Sequence, residues 1–343
     1  MAHKRLMIAK APFRILVVAV LAVLALGATR ADAKRPAPAA TMEMLLDLLV
    51  RPFAIAHHGF GDNNGEDPTR PIENTVPAVR KGYMAGASVV EVDVQLTRGG
   101  EVAVYHDDFL ADLTCLNALT MAELQARVPY IPSLQAVLNQ ARKFNNTEPP
   151  SGLLIVELKP VSPLCDPNDT QERAIVSAVV GVVRRMGMTN QVLLNSFSPA
   201  LMFLASEEAP EIPRDLAVSG LQFLSAQQVE AALGLPVTPI NKKLNVGLQW
   251  AEIGHVFRLP HYDSVEQLLV TAGTTRSRVI EADLLMWQLA GAPLANAAHA
   301  FGLKVFGFTA TKPDEWFFLQ SLGLDGIYAD DVPFGVAHEA PIP

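Results

Sequence analysis

From residue 53 to the C terminus, short apolar runs rich in β-branched residues alternate with amphipathic stretches. This order limits the fold more than any other property of the chain. Strands are expected at 53–57, 88–94, 102–106, 153–158, 192–196, 216–219, 246–249, 279–282, 305–309 and 326–329. Helices are expected at 74–85, 133–144, 170–186, 199–207, 226–233, 265–272, 294–301 and 314–321. Strand–helix alternation at this spacing argues a parallel sheet with helical crossovers. Several strands are near-continuous apolar runs, as expected where both faces are buried. No Gly-x-Gly-x-x-Gly follows an early strand, so the dinucleotide-binding open sheet lacks its mark. Unusual polar residues instead end at least three separate strands, which is the pattern of a TIM-type (β/α)8 barrel. The ten candidate strands exceed the eight a barrel needs, and the assignment is thinnest between 210 and 278.

The polar strand ends carry the chemistry. The first strand runs into His57-His58-Gly59, and the second contains Glu91-Val92-Asp93. The third ends at His106-Asp107, and the fourth at Glu157-Leu158-Lys159. Side chains two apart on a strand share a face, so Glu91 pairs with Asp93 and Glu157 with Lys159. Charges inside apolar strands cost several kcal/mol unless they are paired or bound to a cation. Lys159 can neutralise one carboxylate, and salt bridges to Lys159 and nearby arginines are the structural alternative. Three carboxylates at successive strand ends leave an excess, which calls for one divalent cation. An all-oxygen set points to Ca2+ or Mg2+. His57 and His106 flank the acids with side chains suited to both giving and taking a proton near neutral pH.

Residues 1–33 read as a secretory signal peptide: basic residues, an apolar run over 15–28, then Ala31-Asp32-Ala33. About fourteen apolar residues fall short of the ~20 a membrane span needs. An exported protein, periplasmic or secreted, is expected, with cleavage near Ala33. Cleavage would remove five basic residues and one acidic one, moving the net charge from −8 to −12. Such a chain gains no counterion-release attraction to nucleic acid. Residues 34–50 read as a linker and N-terminal extension, and 51–343 as one barrel domain, within the ordinary reach of α/β barrels. Export makes a Cys115–Cys165 disulfide chemically possible. The barrel reading puts both cysteines on loops at one end, which favours the bridge over two free buried thiols.

Together these residues resemble the glycerophosphodiester phosphodiesterases. The family's His-Arg-Gly is matched by His57-His58-Gly59, its Glu-Asn-Thr by Glu73-Asn74-Thr75, and its Glu-x-Asp by Glu91-Val92-Asp93. His106-Asp107 with Leu110 and Thr114, Ile131-Pro132-Ser133-Leu134, Glu157-Leu158-Lys159 and Asn195-Ser196-Phe197 follow the family pattern. Gly323-Leu324-Asp325-Gly326-Ile327-Tyr328-Ala329-Asp330 resembles its C-terminal signature. The resemblance spans about residues 53–334 and thins between 210 and 278. It implies a TIM-type barrel and hydrolysis of a glycerophosphodiester to an alcohol and glycerol 3-phosphate. It also implies Ca2+ or Mg2+ on Glu91, Asp93 and Glu157, acid–base catalysis by His57 and His106, and a substrate contact at Lys159.

Departures bear on substrate. His58 stands where the family has a phosphate-holding arginine, so any charge there depends on pH. The loop at 60–72 is long and rich in Asp, Asn and Gly. It lacks Ca2+-loop spacing and reads as plain solvated loop, with a lid or a second cation site as alternatives. Phe308-Thr309-Ala310-Thr311 replaces the family's Trp-Thr-Val-Asn strand end, and residues 107–131 leave no room for a cap domain. Asn74-Thr75 reads as a helix cap, though Glu73 and Asn74 lie near the mouth. With His58 and Lys159, they are candidates for substrate binding. Trp250 and Phe308 are candidate pocket residues. His255, His261 and His299 show no partner, and His299 reads as structural. The expected partner is a small phosphodiester or lysolipid head group. The rival readings are a sphingomyelinase D-like phospholipase that forms a cyclic phosphate, and a non-catalytic exported binding protein on the same barrel.

Overall fold

The computed structural model describes residues 41–48, 52–145, 151–224 and 260–339. In chain order they form α1 (Met42–Leu48), β1 (Phe53–Ala56), α2 (Val76–Met84), β2 (Val89–Leu96) and β3 (Val102–Val104). Next come α3 (Met121–Arg127), α4 (Leu134–Ala141), β4 (Leu153–Leu158), α5 (Glu172–Arg185), β5 (Val192–Ser196), α6 (Pro199–Glu208) and β6 (Arg214–Val218). The chain then forms α7 (Val265–Thr274), β7 (Val279–Asp283), α8 (Leu284–Ala300), β8 (Lys304–Ala310), α9 (Pro313–Ser321), β9 (Gly326–Ala329) and α10 (Val332–Ala337).

Eight strands close a parallel ring in the order β1-β2-β4-β5-β6-β7-β8-β9, with β9 returning to β1. This is the expected TIM-type barrel. β3 is not a barrel strand: it pairs antiparallel with the end of β2, Val94 opposite Val104 and Leu96 opposite Val102. The turn between them is a few residues long, and only an antiparallel pair can be closed that quickly. The expected strand at 246–249 and helix at 226–233 lie outside the described residues.

The ring's walls are apolar because both faces are covered. Outward-facing Val90, Val92, Leu154, Val156 and Leu194 pack with helix residues such as Val137, Val179 and Trp287 in one large core. Inward-facing Ile55, Val89, Leu153, Ile155, Leu193, Val279 and Phe306 form a second core, which Met42 and Leu46 of α1 close. The stretch read as linker therefore contains a helix that covers the barrel's N-terminal end. A third cluster, with Leu110, Leu116, Leu124 and Ile131, anchors the segment after β3.

Sequence patterning missed α1, α3 and α10, all seven residues or fewer, and shortened α8. α8 is broken at Gly291 (φ 54°, ψ −150°) just before Pro293, so only its second half has the expected helical pattern. Cys115 and Cys165 are joined by a disulfide that ties the loop after β3 to the loop after β4. No helix among the described residues is long and apolar enough to cross a membrane.

Candidate active site at the C-terminal mouth of the barrel

β2 and β4 run side by side with Asp93 opposite Glu157. Glu91, two residues before Asp93, projects to the same face. One oxygen from each of the three carboxylates lies within 4.8 Å of the others, and all three residues are buried. Lys159 Nζ sits 2.9 Å from Asp93 Oδ1 and 2.7 Å from Glu157 Oε1. One ammonium thus serves two carboxylates, and Glu91 Oε1 has no hydrogen-bond partner among the described residues. A buried carboxylate oxygen with nothing opposite it is costly. This donor set fits a hard divalent cation.

The electrostatics follow the crowding. Burial, then repulsion from Asp93, pushes Glu91 up to about 7. Burial opposes charge on Asp93 too, but Lys159 and His58 hold it well below the usual carboxylate range. Lys159 is desolvated, yet Asp93 and Glu157 raise it above an ordinary lysine.

His57 and His58 leave β1 on a turn that only glycine completes. A Cβ on Gly59 (φ +93°) would lie 2.8 Å from the Ala78 Cβ and 2.9 Å from the Val79 nitrogen of α2. His57 Nδ1 is 2.8 Å from Asp330 Oδ1, at the end of β9, and 3.2 Å from Asp62 Oδ1. Burial and the adjacent His58 pull its pKa down, but hydrogen bonds to Asp330 and Asp62 win and raise it to about 9. The His58 N–H donates to Glu91 Oε2 at 2.9 Å, while its ring lies between Asp93 (Nε2, 3.0 Å) and Asp62 (Nδ1, 2.8 Å). Against the cost of burial, Asp93 and Asp62 hold His58 well above the usual histidine range. The two rings stack at 3.7 Å, and His106 lies 5.3 Å from His58.

His106 reaches the site by the hairpin. β3 runs back down from the tip of β2, and the Tyr105 N–H donates to the Asp93 carbonyl at 3.0 Å. Residue 106 thereby arrives beside the acids. Its Nδ1 is 2.7 Å from Asp107 Oδ1. The expectation of a third barrel strand ending in His106 is corrected accordingly: the residue is at the mouth, but it is carried there by an antiparallel strand.

His57, His58, Glu73, Glu91, His106, Glu157, Lys159 and Phe308 all line one cavity of about 1010 Å³. Asn74 and Asp93 stand just behind its wall. Thr75 caps α2, its hydroxyl accepting from the Ala78 N–H at 3.3 Å. Asn74 instead clamps Asp93, its Nδ2 donating to Asp93 Oδ2 (2.8 Å) and its Oδ1 accepting from the Asp93 N–H (2.9 Å). Trp250 and His255 lie outside the described residues. His299 is structural as expected but not unpartnered, with Nε2 2.7 Å from Asp325 Oδ2.

Asp215, Glu281 and Asp62 escape the sequence reading. Asn195, Asp215 and Glu281 continue the polar lining around the ring, with Glu157 opposite Asn195 and Asn195 opposite Asp215. Tyr328 OH donates to Glu281. Burial raises Asp215 to about 7, and burial plus Asp215 carry Glu281 well above the usual range. Phe197, Phe308 and Tyr328 form an edge-to-face aromatic wall, with ring centroids 5.7 and 6.1 Å apart. The loop at 60–72 is not plain solvated loop. Asn63 is buried and organises it, and Asp62 reaches both His57 and His58.

A profile of the glycerophosphoryl diester phosphodiesterase family matches residues 57–333. The chain is 26% identical over 188 residues to an uncharacterized protein, YqiK, of Bacillus subtilis (strain 168), covering 50% of this chain and 71% of that one. A candidate glycerophosphoryl diester phosphodiesterase of Silicibacter pomeroyi DSS-3 superposes with a TM-score of 0.61 at 20% identity, over 83% of this chain and 91% of that one. A phosphodiesterase of Oleispira antarctica, solved with the product sn-glycerol-3-phosphate, superposes with a TM-score of 0.57 at 20% identity, over 83% and 96%. These structural likenesses establish the barrel.

Proposed function

The chain belongs to the glycerophosphoryl diester phosphodiesterase family and is a phosphoric diester hydrolase; we propose that it acts after export, splitting a glycerophosphodiester into glycerol 3-phosphate and an alcohol. His57 and His106 move the protons, and Glu91, Asp93 and Glu157 hold one Ca2+ or Mg2+. The observation that carries the mechanism is that each of the two rings has Nδ1 against a carboxylate, Asp330 or Asp107. That contact fixes the ring and leaves Nε2 for proton transfer.

One imidazole takes a proton from the attacking water as the new P–O bond forms. The P–O bond to the alcohol breaks, and the other imidazole, protonated, gives its proton to the departing oxygen. Charge on the phosphoryl oxygens is met by Lys159 and by His58, which takes the place of an arginine. A cation on the three carboxylates would supply Lewis-acid stabilisation of the same oxygens. The aromatic wall, with Ser219, Asp283 and Glu281 beside it in the cavity, receives the glycerol or the head group.

The test is 31P NMR of purified mature chain with glycerophosphocholine, glycerophosphoethanolamine, glycerophosphoinositol and lysolipids, in Ca2+ or Mg2+. Glycerol 3-phosphate should appear, stop in EDTA, and form ~10²–10⁴-fold more slowly in His57→Ala and His106→Ala. A cyclic phosphate made from intact lipid would place the enzyme with the sphingomyelinase D-like phospholipases instead. Export is supported by the leader's composition; an N terminus at or near Lys34 on protein from outside the cytoplasm would test it.

A further inference from the structure

We propose that His57, His58 and Asp62 form a second metal site, for a Zn2+-class transition ion, beside the carboxylate triad, with Asp330 next to it against His57. Three donor atoms, one each from His57, His58 and Asp62, lie within 4.8 Å of one another. Three contacts at this point are shorter. His58 Nδ1 is 2.8 Å from Asp62 Oδ1, His57 Nδ1 is 3.2 Å from that same oxygen, and Asp330 Oδ1 is 2.8 Å from His57 Nδ1. Four-coordinate Zn2+ with ligands at about 2.0–2.1 Å requires donors roughly 3.3 Å apart. Asp62 Oδ1 stands at nearly that spacing from both imidazole nitrogens.

His58 Nδ1 is buried and makes no hydrogen bond among the described residues, although Asp62 Oδ1 lies 2.8 Å away. His57 Nδ1 carries at most one hydrogen, yet it faces two carboxylate oxygens from different residues. Asp62 Oδ1 is in turn shared by two imidazoles whose rings stack at 3.7 Å. A cation at the common point replaces these contacts with three ligand bonds from the protein and leaves a fourth position open. Two imidazole nitrogens make the set softer than the all-oxygen triad, which selects a transition ion over Mg2+ or Ca2+.

The loop that delivers Asp62 is fastened for the purpose. Asn63 Nδ2 donates to the carbonyls of Asp67 (3.0 Å), Arg70 (3.2 Å) and Pro71 (3.1 Å), and its Oδ1 accepts from the Gly65 and Asp67 N–H groups. Arg70 donates to the Phe60 carbonyl at 2.6 Å and the Asp330 carbonyl at 3.2 Å, locking the loop to the end of β9. Gly61 allows the approach, since a Cβ there would sit 2.1 Å from the Asp330 carbonyl oxygen. The Asp62 side chain itself stays 58% exposed, so it packs no core and serves the histidines. Zn2+ on His57 Nδ1 would displace the hydrogen now facing Asp330 and leave the ring's proton on Nε2, which then cannot accept another. Zn2+ is therefore an inhibitor, a consequence that rests on the role proposed for His57. The site itself does not rest on that role.

The test counts metal. Full mature chain is stripped with EDTA, loaded with excess Mg2+, equilibrated with Zn2+ and analysed by mass spectrometry of the metal. Co2+ serves as a second probe, through the strong visible bands of a four-coordinate ion. One Zn2+ per chain is expected in the wild type and in Glu91→Gln. Asp62→Ala and His58→Arg should lower its affinity by at least ~100-fold and abolish the Co2+ bands. Because Asp62 is exposed and packs no core, its variant keeps the fold and reads ligation even should His58→Arg fail to fold. Failure of the wild type to retain Zn2+, or equal retention by Asp62→Ala, would overturn the site. So would loss in Glu91→Gln alone.

Discussion

Replacing Asp330 by Asn asks how much of the state of His57 comes from one carboxylate. The ring is protonated up to about pH 9, against 6.5 for a free histidine. That difference corresponds to roughly 3 kcal/mol of preference for the charged form in the folded protein. The His57 side chain is only 15% exposed, so solvent screening removes little of this. Two carboxylates supply it, and Asp330 is the nearer, at 2.8 Å against 3.2 Å for Asp62. Half or more of the effect, about 2 kcal/mol, should vanish with Asp330. Because the folded pKa lies above the unfolded one, the stabilisation is complete below about pH 6.5 and is gone once the pH has risen past about 9. A domain of this size shifts its Tm by about 1.5–2 °C per kcal/mol. Calorimetry in EDTA should then place Asp330→Asn about 3–4 °C below wild type near pH 6, and the two should converge near pH 9.5. An equal deficit at both pH values would show that Asp330 acts through packing, and the charge argument would fail.

Three other outcomes are expected. Asn74→Ala removes both hydrogen bonds that hold Asp93 and should weaken Mg2+ or Ca2+ binding ~10–100-fold by titration calorimetry, while the Thr75 cap keeps α2 intact. Asp215→Asn should raise the Tm near pH 8 and leave it unchanged near pH 4, because a carboxyl held at about 7 in the fold opposes folding increasingly as the pH climbs from its ordinary 3.8; an unaltered melting curve at pH 8 would contradict this. Cys115→Ser with Cys165→Ser opens a link across 50 residues and should cost ~4 kcal/mol on chain-entropy grounds, read as a lowered unfolding midpoint that reducing agent reproduces in the wild type.

The sequence displays Glu91, Asp93 and Glu157 openly, because a charge inside an apolar run has no inexpensive structural reason to be there. The same rule applies to Glu281, within the expected strand 279–282. It misses Asp215 only because the expected strand starts at 216, one residue too late. Boundaries set by hydrophobicity exclude the charged residue whose burial matters most. The antiparallel course of β3 was also readable: the chain between the strands expected at 88–94 and 102–106 is too short for a helical crossover. Asp62 was not readable. A polar, glycine-containing loop looks the same in sequence whether it is solvated or folded back, and only closure of β9 onto β1 brings Asp330 and the loop together over His57. α1 was hidden for a related reason, since seven residues carry too little periodicity to stand out from a Pro/Ala-rich stretch.

The division of each carboxylate's two oxygens explains why this mouth is built from strained turns. His58 and Asn74 both have positive φ, 46° and 54°, conformations that cost non-glycine residues of order 1 kcal/mol or more. They hold each other, the Asn74 N–H donating to the His58 carbonyl at 2.8 Å. They are also held by the acids: Glu91 Oε2 accepts from the His58 N–H, and Asp93 Oδ2 from Asn74 Nδ2. One oxygen of each acid thus fixes the turn that presents the histidines, and the other faces inward. On Glu91 that inward oxygen is unpartnered, while on Asp93 it meets Lys159, which Glu157 Oε1 also engages. The oxygens that hold the lysine are therefore among those a cation needs. The freedom of Lys159 to turn toward a phosphate is set by what else neutralises Asp93 and Glu157. The positions of the histidines and the charge state of the acids are consequently one structural problem, joined at Glu91 and Asp93.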